Sequence, residues 1–159
     1  MDFSLGELAE FLVKAKRETY AGGGAEAPPE RPGFKELEFR EGDWHYRDSY
    51  AGFFRAPGQE IVKYKGTIVW SMMYSGGMRE EYLEDTGFAR KTFAFLKKAL
   101  IMVEKERPFR GPPRLEEGEF LYTDKSEGNI EEFKGTEQIF CEGKEAFRQD
   151  YIGGLVLGK

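Results

Sequence analysis

The chain states one pattern twice, and this constrains its fold more than any feature of its composition. Glu41-Gly42-Asp43-Trp44-His45-Tyr46-Arg47-Asp48 returns as Glu117-Gly118-Glu119-Phe120-Leu121-Tyr122-Thr123-Asp124, an offset of 76 residues counted from 41 to 117. Gly66, Trp70, Tyr74, Gly76 and Gly77 return as Gly143, Phe147, Tyr151, Gly153 and Gly154 at an offset of 77, counted from 66 to 143. One residue is therefore inserted between the two blocks. Upstream, Arg31-Pro32 matches Arg107-Pro108, and each half opens with a similar helical phrase, Phe11-Leu12-Val13-Lys14-Ala15 and Phe95-Leu96-Lys97-Lys98-Ala99. The chain reads as one domain over residues 1–159, built from tandem repeats at about 4–78 and 86–155. Two copies point to pairing about a pseudo-twofold axis, because a solenoid normally needs three or more repeats.

Bulk composition narrows the function classes. A net charge of −5 and a pI of 5.2 oppose binding to a phosphate backbone, which needs a concentrated field of Lys and Arg. No direct nucleic-acid partner is expected. The single cysteine, Cys141, can form neither an internal disulfide framework nor a thiolate zinc site. No stretch approaches the roughly 18 apolar residues of a membrane span, and Met1-Asp2-Phe3-Ser4 lacks the character of a signal peptide. The expected setting is the cytoplasm, without membrane attachment.

Periodicity supplies the elements. Ser4-Leu5-Gly6-Glu7 has capping-box spacing, and Leu5, Leu8, Leu12 and Ala15 follow on one helical face. The first helix is expected from about Ser4 to Thr19, closed by Gly22-Gly23-Gly24. The Gly- and Pro-rich segment from Ala21 to about Glu36 is either a mobile lid or a stretch laid across the surface, and its shorter counterpart runs from Glu104 to Glu116. Alternation places Trp44, Tyr46, Asp48 and Tyr50 on one strand face, and Phe120, Tyr122 and Asp124 repeat it. Two-residue turns at Lys65-Gly66 and Glu142-Gly143 predict hairpins that pair Val62 with Val69 and Glu137 with Arg148. The second helix is expected to begin near Asp85 or Thr86, burying Ala89, Phe93, Leu96, Leu100 and Val103. Each half becomes a helix followed by about three strands. The expected fold is α+β: two αβββ repeats forming a curved antiparallel sheet of roughly six strands, with both helices on one face.

Several constellations bear on chemistry. The repeated aromatic-x-Tyr-x-Asp unit places Asp48 and Asp124 beside aromatic rings, where an unpaired charge is costly. Near a pseudo-twofold axis the two carboxyls could share a proton; the plainer alternative is that each accepts hydrogen bonds from a following turn. Glu60 and Glu137 occupy matching positions and suit either a general base or a cross-strand ion pair. His45, the only histidine, lies on the opposite face from Trp44 and Tyr46 and cannot build a multi-histidine metal site. No metal and no cofactor are expected. Gly22-Gly23-Gly24 follows a helix and lacks the Lys-Ser/Thr ending of a phosphate loop. The Gly-Gly pairs at the strand ends suit a bulge or a close backbone approach. Trp44, Tyr46, Tyr50, Trp70, Tyr74, Phe120, Tyr122, Phe147 and Tyr151 form either an aromatic pocket or the core beneath the helices.

Phe11-Leu12-Val13-Lys14-Ala15-Lys16, Tyr46-Arg47-Asp48-Ser49-Tyr50-Ala51-Gly52, Gly58-Gln59-Glu60-Ile61-Val62 with Gly66 and Trp70, and Pro108-Phe109-Arg110-Gly111-Pro112 together resemble a bacterial and archaeal domain-of-unknown-function family. The resemblance covers nearly the full length. It implies a regulatory or ligand-sensing module, since similar chains occur alone or behind a repressor-type helix-turn-helix domain; it brings no catalytic residues. A single first helix followed by a glycine loop leaves no room here for the helix-turn-helix part. A looser architectural likeness is to gyrase-inhibitor-like effector-binding domains, which also pair two helix-and-three-strand units but start with a strand.

Three functional expectations follow. The first is a non-catalytic small-molecule-binding or regulatory module, its ligand held by Trp44, Tyr46, Asp48, Tyr50, Glu60, Trp70, Tyr74, Tyr122, Asp124 and Tyr151. The second is an enzyme that uses Asp48, Asp124 or Glu60 on a small uncharged substrate, which a strongly raised pKa on one Asp inside a cleft would favour. The third is a homodimeric interaction module using an exposed sheet edge or the face bearing His45 and Arg47.

Overall fold

Ser4 starts the first helix by a reciprocal cap: its hydroxyl accepts from the Glu7 N–H at 3.2 Å, and the Glu7 carboxylate accepts from the Ser4 N–H at 2.7 Å. Helix α1 (Leu5–Glu18) buries Leu8, Phe11, Leu12 and Ala15, and with them Lys16. Four strands follow: β1 (Lys35–Glu41), β2 (Trp44–Tyr50), β3 (Gly58–Tyr64) and β4 (Thr67–Met78). A 3-10 turn at Glu80–Tyr82 leads to helix α2 (Thr86–Leu100), capped by Asp85, whose side chain accepts from the Phe88 N–H at 2.9 Å. Strands β5 (Arg114–Glu117), β6 (Phe120–Asn129), β7 (Glu132–Cys141) and β8 (Lys144–Leu155) complete the chain. The computed structural model describes residues 2–158; Met1 and Lys159, the ends of the expected domain, lie outside the described residues.

The protein is α+β, dominated by one antiparallel sheet of eight strands in the order β1-β2-β3-β4-β8-β7-β6-β5. Each helix therefore precedes four strands, not the three expected from the alternation pattern. The additional strands are β1, a hairpin with β2 through Gly42-Asp43, and the four-residue β5, a hairpin with β6 through Gly118-Glu119. The two sets of strands meet at β4 and β8, where Tyr74 lies opposite Tyr151.

The predicted hairpin register holds only at the turns. Tyr64 pairs with Thr67 and Lys63 with Ile68, but a bulge then shifts Val62 onto Trp70. The same device between Ile139 and Phe140 pairs Glu137 with Gln149, not with Arg148. Each bulge adds one unpaired residue, Val69 or Ala146, and so returns the large apolar residue that follows to the covered face.

Both helices cover the same sheet face. Leu8, Phe11 and Leu12 of α1 pack with Tyr46, Val62, Trp70 and Met72; Ala89, Phe95 and Leu96 of α2 pack with Tyr122, Ile139 and Phe147. On the opposite face, the Gly- and Pro-rich segment is laid across the surface. Glu36 accepts from the N–H groups of Glu30 and Arg31, each at 3.1 Å, and its carboxylate pairs with buried Arg47. No helix among the described residues is long and apolar enough to cross a membrane.

Candidate functional site

The site grows from a side-chain arrangement that occurs twice. Strand pairing sets Asp48 beside Glu60, and Asp124 beside Glu137. Tyr74 reaches over Gly58 to donate to Asp48 Oδ1 at 2.7 Å, and Tyr151 reaches over Gly135 to donate to Asp124 Oδ1 at 2.8 Å. Each glycine is required by space: a Cβ on Gly58 would lie 2.4 Å from Tyr74 Cζ, and one on Gly135 would lie 2.2 Å from Tyr151 Cζ. The phenol ring occupies the volume that any other side chain would take.

Cations distribute unequally over these four buried acids. Lys16, from the buried face of α1, pairs with Glu60. Arg110, in the connection after α2, donates through Nε to Glu137 Oε1 at 2.9 Å and lies 3.8 Å from Glu60. Glu137 also accepts from Tyr122 Oη at 2.7 Å and from Gln149 Nε2 at 2.8 Å, so its carboxylate is fully served. Arg107 pairs with Asp124 at 3.0 Å. Asp48 has no ion pair among the described residues. Arg31, which matches Arg107 in the sequence, instead bonds Gln59 at 2.7 Å on the outer face.

Protonation follows from these surroundings. Burial, then the Glu60 charge, pushes Asp48 up to about 7 against the opposing pull of Tyr74, Lys16 and Arg110. Burial, then Glu137, pushes Asp124 up to about 6, with Tyr151, Arg107 and Arg110 opposing. Burial lowers the Lys16 ammonium, only partly offset by Glu60. Burial works against the Arg110 cation too, but Glu137 outweighs it and holds the guanidinium firmly charged. With Lys16 balancing Glu60 and Arg110 balancing Glu137, the inner group is neutral when Asp48 carries its proton.

Asp48 opens into a cavity of about 420 Å³ between the two helices and the covered sheet face. Its polar floor is Lys16, Tyr46, Asp48, Glu60, Tyr74 and Arg110. Tyr46 is only 2 % exposed, and its hydroxyl makes no hydrogen bond to another described residue. The walls are aromatic: Tyr20 and Tyr50 on one side, Phe53, Phe54, Phe93 and Phe147 on the other. The loop at 51–57 docks onto the sheet because Gly77 lets backbones touch, a Cβ there lying 2.1 Å from the Phe54 carbonyl, while Gly76 makes the same room for Arg148 of β8. Met78 N donates to Phe54 O at 2.7 Å and Ala56 N to Gly76 O at 3.1 Å, which hold that wall in place. At the mouth, Arg90 lies over the Phe53 ring and Lys97 over the Tyr20 ring, at 5.8 and 4.9 Å from their centres.

Of the residues singled out from the sequence, Tyr46, Asp48, Tyr50, Glu60 and Tyr74 line this cavity. Trp44 lies apart, stacked on Phe11 and against Phe3 and Tyr64. Trp70 is fully buried and donates to the Ile130 carbonyl at 3.2 Å. Tyr122, Asp124 and Tyr151 belong to the second, closed arrangement. Asp48 and Asp124 are separated in the sheet by β3, β4, β8 and β7, so the proton-sharing pair imagined from the repeat does not form; each acid instead neighbours a glutamate. His45 is on the outer face, 3.0 Å from Glu38. No group of three or more potential metal ligands occurs among the described residues.

Lys16, Arg110, Tyr20 and Gln149 were not anticipated. Lys16 carried one signal: it falls four residues after Leu12, on the apolar stripe of α1, where a lone cation needs a buried partner.

A family described as a domain of unknown function, DUF5680, matches residues 48–156, which begin at Asp48 and contain both arrangements. No curated protein and no solved structure matches the chain.

Proposed function

The chain belongs to the DUF5680 family, and we propose that it is a small-molecule-binding module whose ligand occupies the cavity between α1, α2 and the sheet. One observation carries this reading: a space of about 420 Å³ with aromatic walls and, at its floor, the Asp48 carboxyl without a cation and the Tyr46 hydroxyl without a hydrogen-bond partner. That size and chemistry suit a binding site. A ligand in that space can offer these two groups the partners that the protein itself does not supply.

The halves are read as duplicated units related by a pseudo-twofold axis between β4 and β8. The matched Tyr74–Asp48 and Tyr151–Asp124 bonds and the helix-plus-four-strand order of each half support this. On this view the second unit keeps its polar cluster closed through Arg107 and the first has opened into a pocket. A regulatory, sensor-like role in the cytoplasm accords with a binding pocket.

Asp48 raised to about 7 inside a cavity favours a second reading, an enzyme with Asp48 as acid or base. Against its priority, Asp124 is raised to about 6 although it does not line the cavity, so burial in this fold shifts the pair without any reaction.

The test is native mass spectrometry of gently purified protein beside Ala94→Trp. Ala94 is an exposed lining residue of α2, and an indole there fills the mouth. A small molecule retained by the wild type and absent from the variant supports the binder; equal retention by both contradicts it. Chemical conversion of that molecule on incubation would favour the enzyme.

A further inference from the structure

Resting on the reading of this cavity as a ligand site, we propose that its ligand is an amine with an apolar body, the ammonium paired with Asp48 and the body between the aromatic walls. The protein contains its own comparison. Asp124 has the same neighbours as Asp48, a glutamate across the strand pair and a tyrosine hydroxyl reaching over a glycine, and in addition a guanidinium at 3.0 Å. Asp48 has the glutamate and the tyrosine at 2.7 Å but no cation, and it faces open space. A positive group in that space would complete the first arrangement as Arg107 completes the second.

The neighbouring charges argue for the same sign. Lys16 is engaged by Glu60, and Arg110 by Glu137. An anionic ligand would add a further negative charge beside Asp48, Glu60 and Glu137 and would compete with carboxylates already in place. A cation balances an ionised Asp48. Arg90 and Lys97 stand at the mouth; Arg90 is exposed and Lys97 half-buried, so water screens them from the floor.

The groups facing Asp48 are Glu60 on β3, Tyr74 on β4, Tyr46 and Tyr50 on β2, Lys16 and Tyr20 at the end of α1 and Arg110 after α2, with exposed Lys35 of β1 and Lys97 and Arg90 of α2 also lining the cavity. Binding an ammonium requires the Asp48 anion, so below pH 7 the complex forms with loss of a proton. Affinity should rise with pH to about 7 and level off above it.

The experiment uses the full chain with tryptamine and phenethylamine, matched against tryptophol and 2-phenylethanol as neutral isosteres and 3-phenylpropionate as an anion. Calorimetry should give amine dissociation constants about tenfold or more below those of the alcohols. Asp48→Asn should remove that preference. At pH 6, repeating the wild-type titration in buffers of different ionisation enthalpy should show close to one proton released per amine bound, a readout that needs no variant. Equal or tighter binding of the alcohols or the acid, an amine preference surviving in Asp48→Asn, or no proton release would overturn the amine assignment while leaving the cavity as a binding site. Absence of binding by every probe would overturn both.

Discussion

Tyr74 Oη donates to Asp48 Oδ1 at 2.7 Å across Gly58, and Tyr151 Oη donates to Asp124 Oδ1 at 2.8 Å across Gly135. The two arrangements share donor, acceptor and spacer and differ in what else reaches the acid, and the functional argument turns on that difference.

The spacer glycines are directly testable. Gly58→Ala and Gly135→Ala each place a methyl within about 2.4 Å of a tyrosine ring carbon, so the ring must move and release the acid. We expect each to destabilise the protein by about 1–3 kcal/mol, as overpacked cores do, measured by urea denaturation. A loss within experimental error would show that the ring has room the structure does not show.

Asp48 and Asp124 should make stability depend on pH in an unusual direction. Both bind protons more tightly when folded, near 7 and 6, than the ordinary aspartate value of 3.8. Between about pH 4 and 7 the folded state therefore holds more protons than the unfolded one, and these two groups make stability fall as pH rises. Glu36 and Glu38, held below the ordinary glutamate value, act oppositely at lower pH. Urea midpoints from pH 5 to 8 should decline for the wild type, and Asp48→Asn should flatten the part near 7.

Lys16 and Glu60 form a buried pair, and breaking one side leaves an unmatched charge. Lys16→Met is expected to cost about 3–5 kcal/mol, and Lys16→Met with Glu60→Gln to recover a large part of that loss. Chemical denaturation of both single variants and the double variant measures the coupling; additive losses would mean that the pair is not closed in solution.

Asp124 sits below Asp48 because it is less deeply buried and because Arg107 adds to the groups that hold it down. Removing that guanidinium in Arg107→Met should raise the Asp124 pKa above about 6, towards the value near 7 of its counterpart, in a carboxyl carbon NMR titration. Asp48 should titrate unchanged.

Much of the architecture was legible because it rests on local signals. Ser4 and Asp85 have capping chemistry, and Lys65-Gly66 and Glu142-Gly143 adopt positive φ at both turn residues. Strand β1, Lys-Glu-Leu-Glu-Phe-Arg-Glu, hid because five of its seven residues are charged, and β5 because it has four residues. The bulges were invisible because packing of Trp70 and Phe147, not the turn, sets the register beyond them. Asp48, Tyr46 and Glu60 stood out by alternation and repetition. Arg110 did not, since its partner Glu137 is 27 residues away and only the fold brings them together.

The central claim, that the space above Asp48 is a ligand site, is tested most directly by amide-resolved NMR during titration with a library of small aromatic and aliphatic fragments. The account predicts that binders perturb Lys16, Tyr20, Tyr46, Tyr50, Phe53 and Phe93 together, and that Ala94→Trp abolishes those changes. Perturbations confined to other surfaces, or none from the whole library, would contradict it.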